Sequence, residues 1–331
     1  GPRGVILGPG EELELNDFPT HAGAVTLDWL TQRLGESGLC DGRLSAFHWE
    51  PIGTGQVGDS VRFHLRYEPG AAGPPTLAAK FSAADATSRG TAAMMGLYAK
   101  EVCFYREAAP LLDARAAIRQ AAAIHAGSWR RADLIEADWV RPDPELSARI
   151  AAMYPQAQAV FRERYADGLE PEYMALCEEL AATPAFFERD NARPQCLVHG
   201  DFRLDNMLFD VRGGAEPIAI LDWQTVTTGK AMTDIGYFLG CGIGNDLRRA
   251  HEDELLDLWL SEMAARGVSL SRAEIDHDYR IGALHGVSTA VFSAAFVERT
   301  RRGDANFLSM ARGACGLALE RESLAALKEN A

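Results

Sequence analysis

Hydrophobic positions change their period along the chain. Val61, Phe63, Leu65 and Tyr67 alternate with Arg62, His64, Arg66 and Glu68, the period of two of a half-buried strand. Leu77–Ala78–Ala79–Lys80–Phe81 is a second short apolar run, broken by one lysine. Leu97, Val102, Tyr105 and Leu111–Leu112 are spaced more like a helix. Farther on, helical spacing dominates. Residues 116–126, 144–166, 171–180, 255–265, 276–297 and 307–327 read as helices, often Ala-rich, with acidic residues or proline near their starts. A shorter helix is expected over 27–34, with Thr26 or Asp28 near its start. Two short strands, 206–211 and 217–221, flank the turn signal Gly213–Gly214.

A strand-rich first third followed by a helix-rich remainder predicts two units. A chain of 331 residues also exceeds the usual limit for one core. The boundary is expected near residue 112, giving units 1–112 and 113–331. Hydrophobic content of 47% is enough to build both. The net charge of −14 argues against nucleic acid and anionic membranes as partners. It is compatible with a cationic substrate, although acidity commonly serves solubility alone. The six cysteines are scattered and form no C-x-x-C pair, which predicts reduced, mostly buried thiols and a cytoplasmic protein. The longest uncharged run, 281–297, is short and rich in Gly, Ser and His, so a buried helix is expected rather than a membrane span. Gly1–Pro2 without a methionine reads as the scar of a cleaved fusion.

Candidate chemistry is concentrated in Cys196–Leu197–Val198–His199–Gly200–Asp201–Phe202–Arg203–Leu204–Asp205–Asn206, followed by Ile218–Ala219–Ile220–Leu221–Asp222–Trp223–Gln224. A hairpin folded about Gly213–Gly214 places position 206 opposite about 221. Asn206 and Asp222 then meet at its open end, with Asp201 in the loop just before. Two oxygen ligands there suit a hard cation such as Mg²⁺ holding ATP phosphates, and Asp201 can accept a hydroxyl proton. An ordinary hairpin with polar ends is the blander alternative, and the joint spacing of three such residues argues against it. Gly53–Thr54–Gly55–Gln56–Val57–Gly58 matches G-x-G-x-x-G. It opens a strand rather than a helix, which disfavours a dinucleotide-binding unit and favours a glycine-loop lid over phosphates. Lys80 on its apolar strand calls for a partner, with Glu101 preferred over Glu107.

His199-Gly200-Asp201, then Asn206 and Asp222, resembles the catalytic core of the aminoglycoside phosphotransferase and choline kinase group of small-molecule kinases. Asp222-Trp223-Gln224 and the segment Thr233–Asp234–Ile235–Gly236–Tyr237–Phe238–Leu239 look most like members near the ecdysteroid-kinase-like branch. The similarity runs from about Gly53 to about Gly240. It implies an α+β, bilobal protein-kinase-like fold, with a small antiparallel-sheet N-lobe and a larger, mostly helical C-lobe. It implies ATP and Mg²⁺ as cofactors and a small-molecule hydroxyl as acceptor. Asp201 would be catalytic, and Asn206 and Asp222 would bind metal. Gly53, Gly55, Gly58 and Lys80 would hold phosphates, with Glu101 holding Lys80. Asp234 would support the catalytic-loop backbone, and His199 would be structural too. The C-terminal helices would build the acceptor site, where His285, Ser288, Phe292 and Glu298 are the polar and aromatic candidates. One departure stands out. The two strands and the adenine-binding linker that such a fold places after the Glu101 helix are missing near Leu112–Arg115. Either this protein has lost them or the sequence omits residues, the second being preferred; a true loss would favour a nucleotide-binding pseudokinase or scaffold. A protein kinase is disfavoured by the lack of His-Arg-Asp and Ala-Pro-Glu signatures, and a hydrolase by the lack of G-x-S-x-G.

Overall fold

The period-two segment is the central strand of a three-stranded antiparallel sheet in the computed structural model, which describes residues 18–52, 58–94, 98, 109–188, 195–211, 215–296, 299 and 301–329. The chain divides into two compact units, the first reaching Pro110 and the second starting at Leu111.

In the first unit, β1 (Leu44–Pro51), β2 (Gly58–Tyr67) and β3 (Thr76–Ser82) lie in that order. Val61, Phe63 and Leu65 are buried while Arg62 and Arg66 are exposed, as alternation across a sheet requires. Phe63 stands opposite Trp49 on β1 and Leu77 on β3. Helix α1 (Leu27–Glu36) packs Leu30 and Leu34 into the same core. The Thr26 hydroxyl accepts the Trp29 N–H at 3.2 Å, satisfying one donor that a helix start leaves open. A second helix, α2 (Ala86–Met94), follows β3. Lys80, opposite Ser60, is exposed on an edge strand. The sequence suggested a buried strand; the edge instead lets an aliphatic stem lie along the sheet with its charged head outward.

The second unit is mostly helical. It runs through α3 (Ala109–Ser128), α4 (Ala132–Ile135), α5 (Pro144–Tyr165), α6 (Pro171–Ala181) and α7 (Ala185–Glu188). Four short strands follow: β4 (Cys196–Val198), β5 (Met207–Asp210), β6 (Glu216–Ile220) and β7 (Thr227–Gly229). The chain ends with α8 (Ala231–Tyr237), α9 (Asn245–Ala265), α10 (Arg272–Phe296), α11 (Arg301–Glu320) and α12 (Ser323–Ala326). The antiparallel-sheet N-terminal unit and helical C-terminal unit are the expected α+β architecture. Leu111 to Arg115 lie inside α3, and among the described residues no strand separates β3 from that helix.

Two boundaries differ from expectation. Helix α9 starts ten residues earlier than its apolar pattern, at Asn245 rather than 255. The single helix expected over 307–327 is broken at Glu322, whose φ of 50° places it in the left-handed region between α11 and α12. The acidic run at 252–254 is divided between the core and the surface. Glu252 is buried and bound by Arg248, Arg321 and Tyr279, while Glu254 pairs with Arg115 and His251.

The core gathers Ile118, Leu180, Phe202, Phe238, Trp259, Leu284 and Val287, all fully buried. Each such side chain contributes about 1.5–3 kcal/mol relative to exposure. Helices α8 and α10 approach most closely at paired glycines. A Cβ on Gly236 would lie 2.5 Å from the Gly282 carbonyl carbon, and one on Gly282 would lie 2.0 Å from the Met232 oxygen. Helix α8 also bonds through Asp234 to the backbone of His199 and Gly200, in the loop that carries Asp201. Cys40, Cys177, Cys196 and Cys315 are buried free thiols, and Cys103 lies outside the described residues. No helix among the described residues is long and apolar enough to cross a membrane.

Candidate active site

Strands β5 and β6 pair Met207 with Ile220, Leu208 with Ala219 and Phe209 with Ile218. The Leu221 N–H donates to the Asn206 carbonyl at 2.8 Å, so position 206 does stand opposite 221. The turn glycines Gly213 and Gly214 lie outside the described residues. Asp222 comes directly after, at φ 61° and ψ 60°. This left-handed conformation is uncommon outside glycine and best tolerated by Asn and Asp. It ends β6 abruptly and leaves the Asp222 side chain exposed.

Asp201 sits in the loop between β4 and β5, with both carboxylate oxygens engaged. The Asn206 Nδ2 donates to Oδ2 at 2.8 Å and to the Asp201 carbonyl at 2.9 Å. The Tyr237 hydroxyl donates to Oδ1 at 2.7 Å. Arg203 Nε lies 3.2 Å from the same oxygen, as an ion pair. Burial, then the neighbouring Cys241 and Asp201, push the Tyr237 phenol far above its ordinary range. Tyr237 therefore stays protonated and remains a donor.

A second carboxylate supports the loop from below. Asp234, in the first turn of α8, accepts the His199 N–H at 2.7 Å and the Gly200 N–H at 2.9 Å. His125 Nε2 lies 3.2 Å from the same carboxylate, and the Trp259 indole N–H donates to His125 Nδ1 at 3.1 Å. Since the indole can only donate, the His125 proton sits on Nε2 and points at Asp234. Burial alone would raise the Asp234 carboxyl, but the hydrogen bond from His125 and those from the two backbone N–H groups outweigh it. The carboxyl is held below the usual range.

His199 has both ring nitrogens occupied. Nδ1 accepts the Asp201 N–H at 3.2 Å, and Nε2 donates to the Leu221 carbonyl at 2.8 Å. It ties the catalytic loop to the end of β6 and is not placed to act as a base. Gly200 has φ 81°, and a Cβ there would lie 2.7 Å from the Thr225 carbonyl oxygen. His285 Nε2, from α10, donates to the Gly200 carbonyl at 2.8 Å.

The donor chemistry suits a hard cation. Asn206 spends its amide nitrogen on Asp201, which leaves Oδ1 as the remaining acceptor. Asp222 is exposed, and among the described residues its carboxylate has no hydrogen-bond or ion-pair partner. No cluster of three or more His, Cys, Asp or Glu forms a closed metal cage among the described residues. An open pair of oxygens fits Mg²⁺ better than a cage does, because Mg²⁺ keeps several waters and takes phosphate oxygens as further ligands.

Asp201 and Asn206 thus touch at the start of β5, and Asp222 follows Leu221, the residue bonded to the Asn206 carbonyl, at the same end of the hairpin. Lys80 and Gly58 belong to the first unit, where a Cβ on Gly58 would lie 3.0 Å from Lys80 Cε. Gly53, Gly55, Glu101, Glu107 and Glu298 lie outside the described residues. His285, Ser288 and Phe292 line a cavity of about 750 Å³ that opens onto Asp201. Arg203, Tyr237 and the His125–Trp259 pair escaped sequence reasoning. Tyr237 carried a signal, since it follows Asp234 by three residues on one helix and so shares its face. Arg203 and His125 carried none.

The sequence profile of the phosphotransferase enzyme family (APH) matches residues 97–266, just over half of the chain. The chain belongs to this family. Among curated proteins, this phosphotransferase is 44% identical over 48 residues to acyl-CoA dehydrogenase family member 11 of Mus musculus, covering 14% of this chain and 6% of that protein. It is 43% identical over 49 residues to the Homo sapiens protein of the same name, covering 15% and 6%. Family member 10 of Mus musculus matches at 51% over 41 residues, covering 12% and 4%. The matched stretches are thus a small part of these relatives. A solved structure, the microcompartment-associated aminopropanol kinase, is similar at 18% identity with a TM-score of 0.35, covering 66% of this chain and 64% of that one. In this family member Asp201 is a carboxylate with both oxygens held by neighbouring side chains, Asn206 and Tyr237.

Proposed function

We propose that this phosphotransferase moves the γ-phosphate of ATP to a hydroxyl of a small molecule, with Mg²⁺ as its metal. The observation that carries this reading is the Asp201 carboxylate, held by Asn206 and Tyr237 in the lining of a cavity. The acceptor hydroxyl gives its proton to Asp201 as its oxygen bonds to the γ-phosphorus. The bond from phosphorus to the bridging oxygen breaks, and ADP leaves. Asn206 and Asp222 would hold Mg²⁺, which when bound neutralises phosphate charge. Lys80 and the glycines Gly53, Gly55 and Gly58 would hold phosphates, with Glu101 orienting Lys80. The catalytic work of the protein is positioning and charge complementarity. The likeness of Asp222-Trp223-Gln224 to the ecdysteroid-kinase-like branch supports an alcohol acceptor, and the scattered thiols support a cytoplasmic setting.

The test is ADP release measured over a panel of small hydroxyl acceptors. Asp201→Asn is expected to lower turnover by about 10²–10⁴-fold with an unchanged melting temperature. Full activity in that variant sinks the assignment. Mg-ATP binding with no transfer to any hydroxyl would instead make the chain a nucleotide-binding scaffold.

A further inference from the structure

The cavity beside Asp201 carries information about its occupant. Its walls come from five helices and the catalytic loop. Phe186 and Phe187 on α7, Phe292 on α10, and Phe307 and Met310 on α11 form an apolar surround. The rings pack on one another: Phe186 and Phe187 have centroids 5.0 Å apart, and Phe187 and Tyr154 have centroids 4.6 Å apart. Thr289 and Ser293 of α10 add hydroxyls to one side.

Among the described residues lining it, Asp201 and Arg203 are the only ones of Asp, Glu, Lys or Arg type. They lie 3.2 Å apart and cancel. Both Asp201 oxygens already receive protein donors, from Tyr237 and Asn206. Among the described residues lining this space, an ammonium group would meet no uncommitted carboxylate. It would lose its water and gain neutral hydroxyls, amides and the faces of phenylalanine and tyrosine, with no net negative charge to offset its own. The acidic residues that give the chain its negative charge lie elsewhere, several of them tied up with arginines on α9 and α10. A volume of about 750 Å³ falls within the size range of small-molecule sites.

We propose that the acceptor is an uncharged alcohol with an apolar body, and that the cavity selects against amino alcohols. This rests on the phosphotransfer reading above and names the acceptor class for the same site. The apolar body lies among the Phe and Met side chains, with the hydroxyl directed at Asp201. Thr289 and Ser293 are available for a further neutral oxygen on the acceptor.

The experiment is a matched pair of probes, hexan-1-ol and 6-aminohexan-1-ol, titrated into the full chain by calorimetry or ligand-observed NMR. Hexan-1-ol is expected to bind about tenfold or more tightly than the amine. Phe292→Asp, which adds a carboxylate to the wall, is expected to reverse the order. Equal or tighter binding of the amine to the unmodified chain overturns the proposal, as does failure of hexan-1-ol to bind at millimolar concentration. ADP release with each probe separates the two readings. Selective binding of the neutral alcohol without any transfer would keep the cavity's preference and remove the phosphotransfer.

Discussion

Tyr237 reaches Asp201 from thirty-six residues away in sequence, and its contribution can be separated from packing. In Tyr237→Phe the ring still fills its buried site and one hydrogen bond is lost. Such a bond contributes about 1 kcal/mol, so kcat is expected to fall about five- to tenfold with KM nearly constant. A role in packing alone would move the melting temperature and leave kcat untouched. Asp222→Asn is the matching experiment at the proposed metal ligands. Asparagine also tolerates the left-handed backbone, so stability should hold while the Mg²⁺ concentration for half-maximal activity rises at least about tenfold. The register that sets Asn206 opposite Leu221, next to Asp222, was legible in the sequence because it follows from the turn centre of the hairpin. His125 was not, since nothing local announces a contact made across the fold, nor was the turn of Arg203 back onto Asp201; Tyr237 offered only its spacing from Asp234. Lys80 was read as buried because its neighbours are apolar; that β3 is an edge strand is a property of the sheet.

At the scale of elements, Asp234 joins α8 to the catalytic loop and to α3. Its carboxyl is held below its ordinary range, so it stabilises the fold fully above the usual carboxylate pKa. That contribution fades as pH falls through its own, lower value. Asp234→Asn removes a buried charge with three donors on it and is expected to cost about 3 kcal/mol at neutral pH. In urea unfolding series, the gap between the two proteins should narrow as pH falls below the ordinary carboxylate range. A gap independent of pH would mean that Asp234 acts through shape alone. Gly282→Ala should destabilise by about 1–3 kcal/mol through overpacking, measured by the same unfolding curves, because the intruding Cβ meets backbone rather than a movable side chain. Most helices could be read from the sequence because capping residues and apolar periods agree. The first turns of α9 could not, since Arg248 and Glu252 are buried in an ion network that hydrophobic spacing does not register.

Across the whole molecule, two separate apolar cores stand behind the two units, the first around Leu34 and Phe63 and the second, much larger, around Trp259 and Leu284. Small cores bury a smaller share of their surface. Amides of β1–β3 are therefore expected to exchange with solvent at lower urea than those of α8 and α10, as followed by mass spectrometry of hydrogen exchange. Simultaneous loss of protection in both would show that the chain unfolds as one cooperative body. The division into a sheet unit and a helical unit was visible as a change of hydrophobic period, the most robust signal a sequence carries. The break at Glu322 was not, because nothing in that residue's chemistry requires a left-handed backbone.

The left-handed backbone at Asp222 also bears on how such an enzyme would fall silent. Gly, Asn and Asp are the residues that enter this conformation most readily, and of these Asp alone brings a negative charge. Codons for Asp become codons for Asn or Gly by one base change. The mutations most easily accepted by the backbone here are therefore those that erase the proposed metal ligand and leave the fold whole. A lineage released from selection on catalysis would be expected to drift at this position first, and to leave behind a stable, abundant protein with an empty trade.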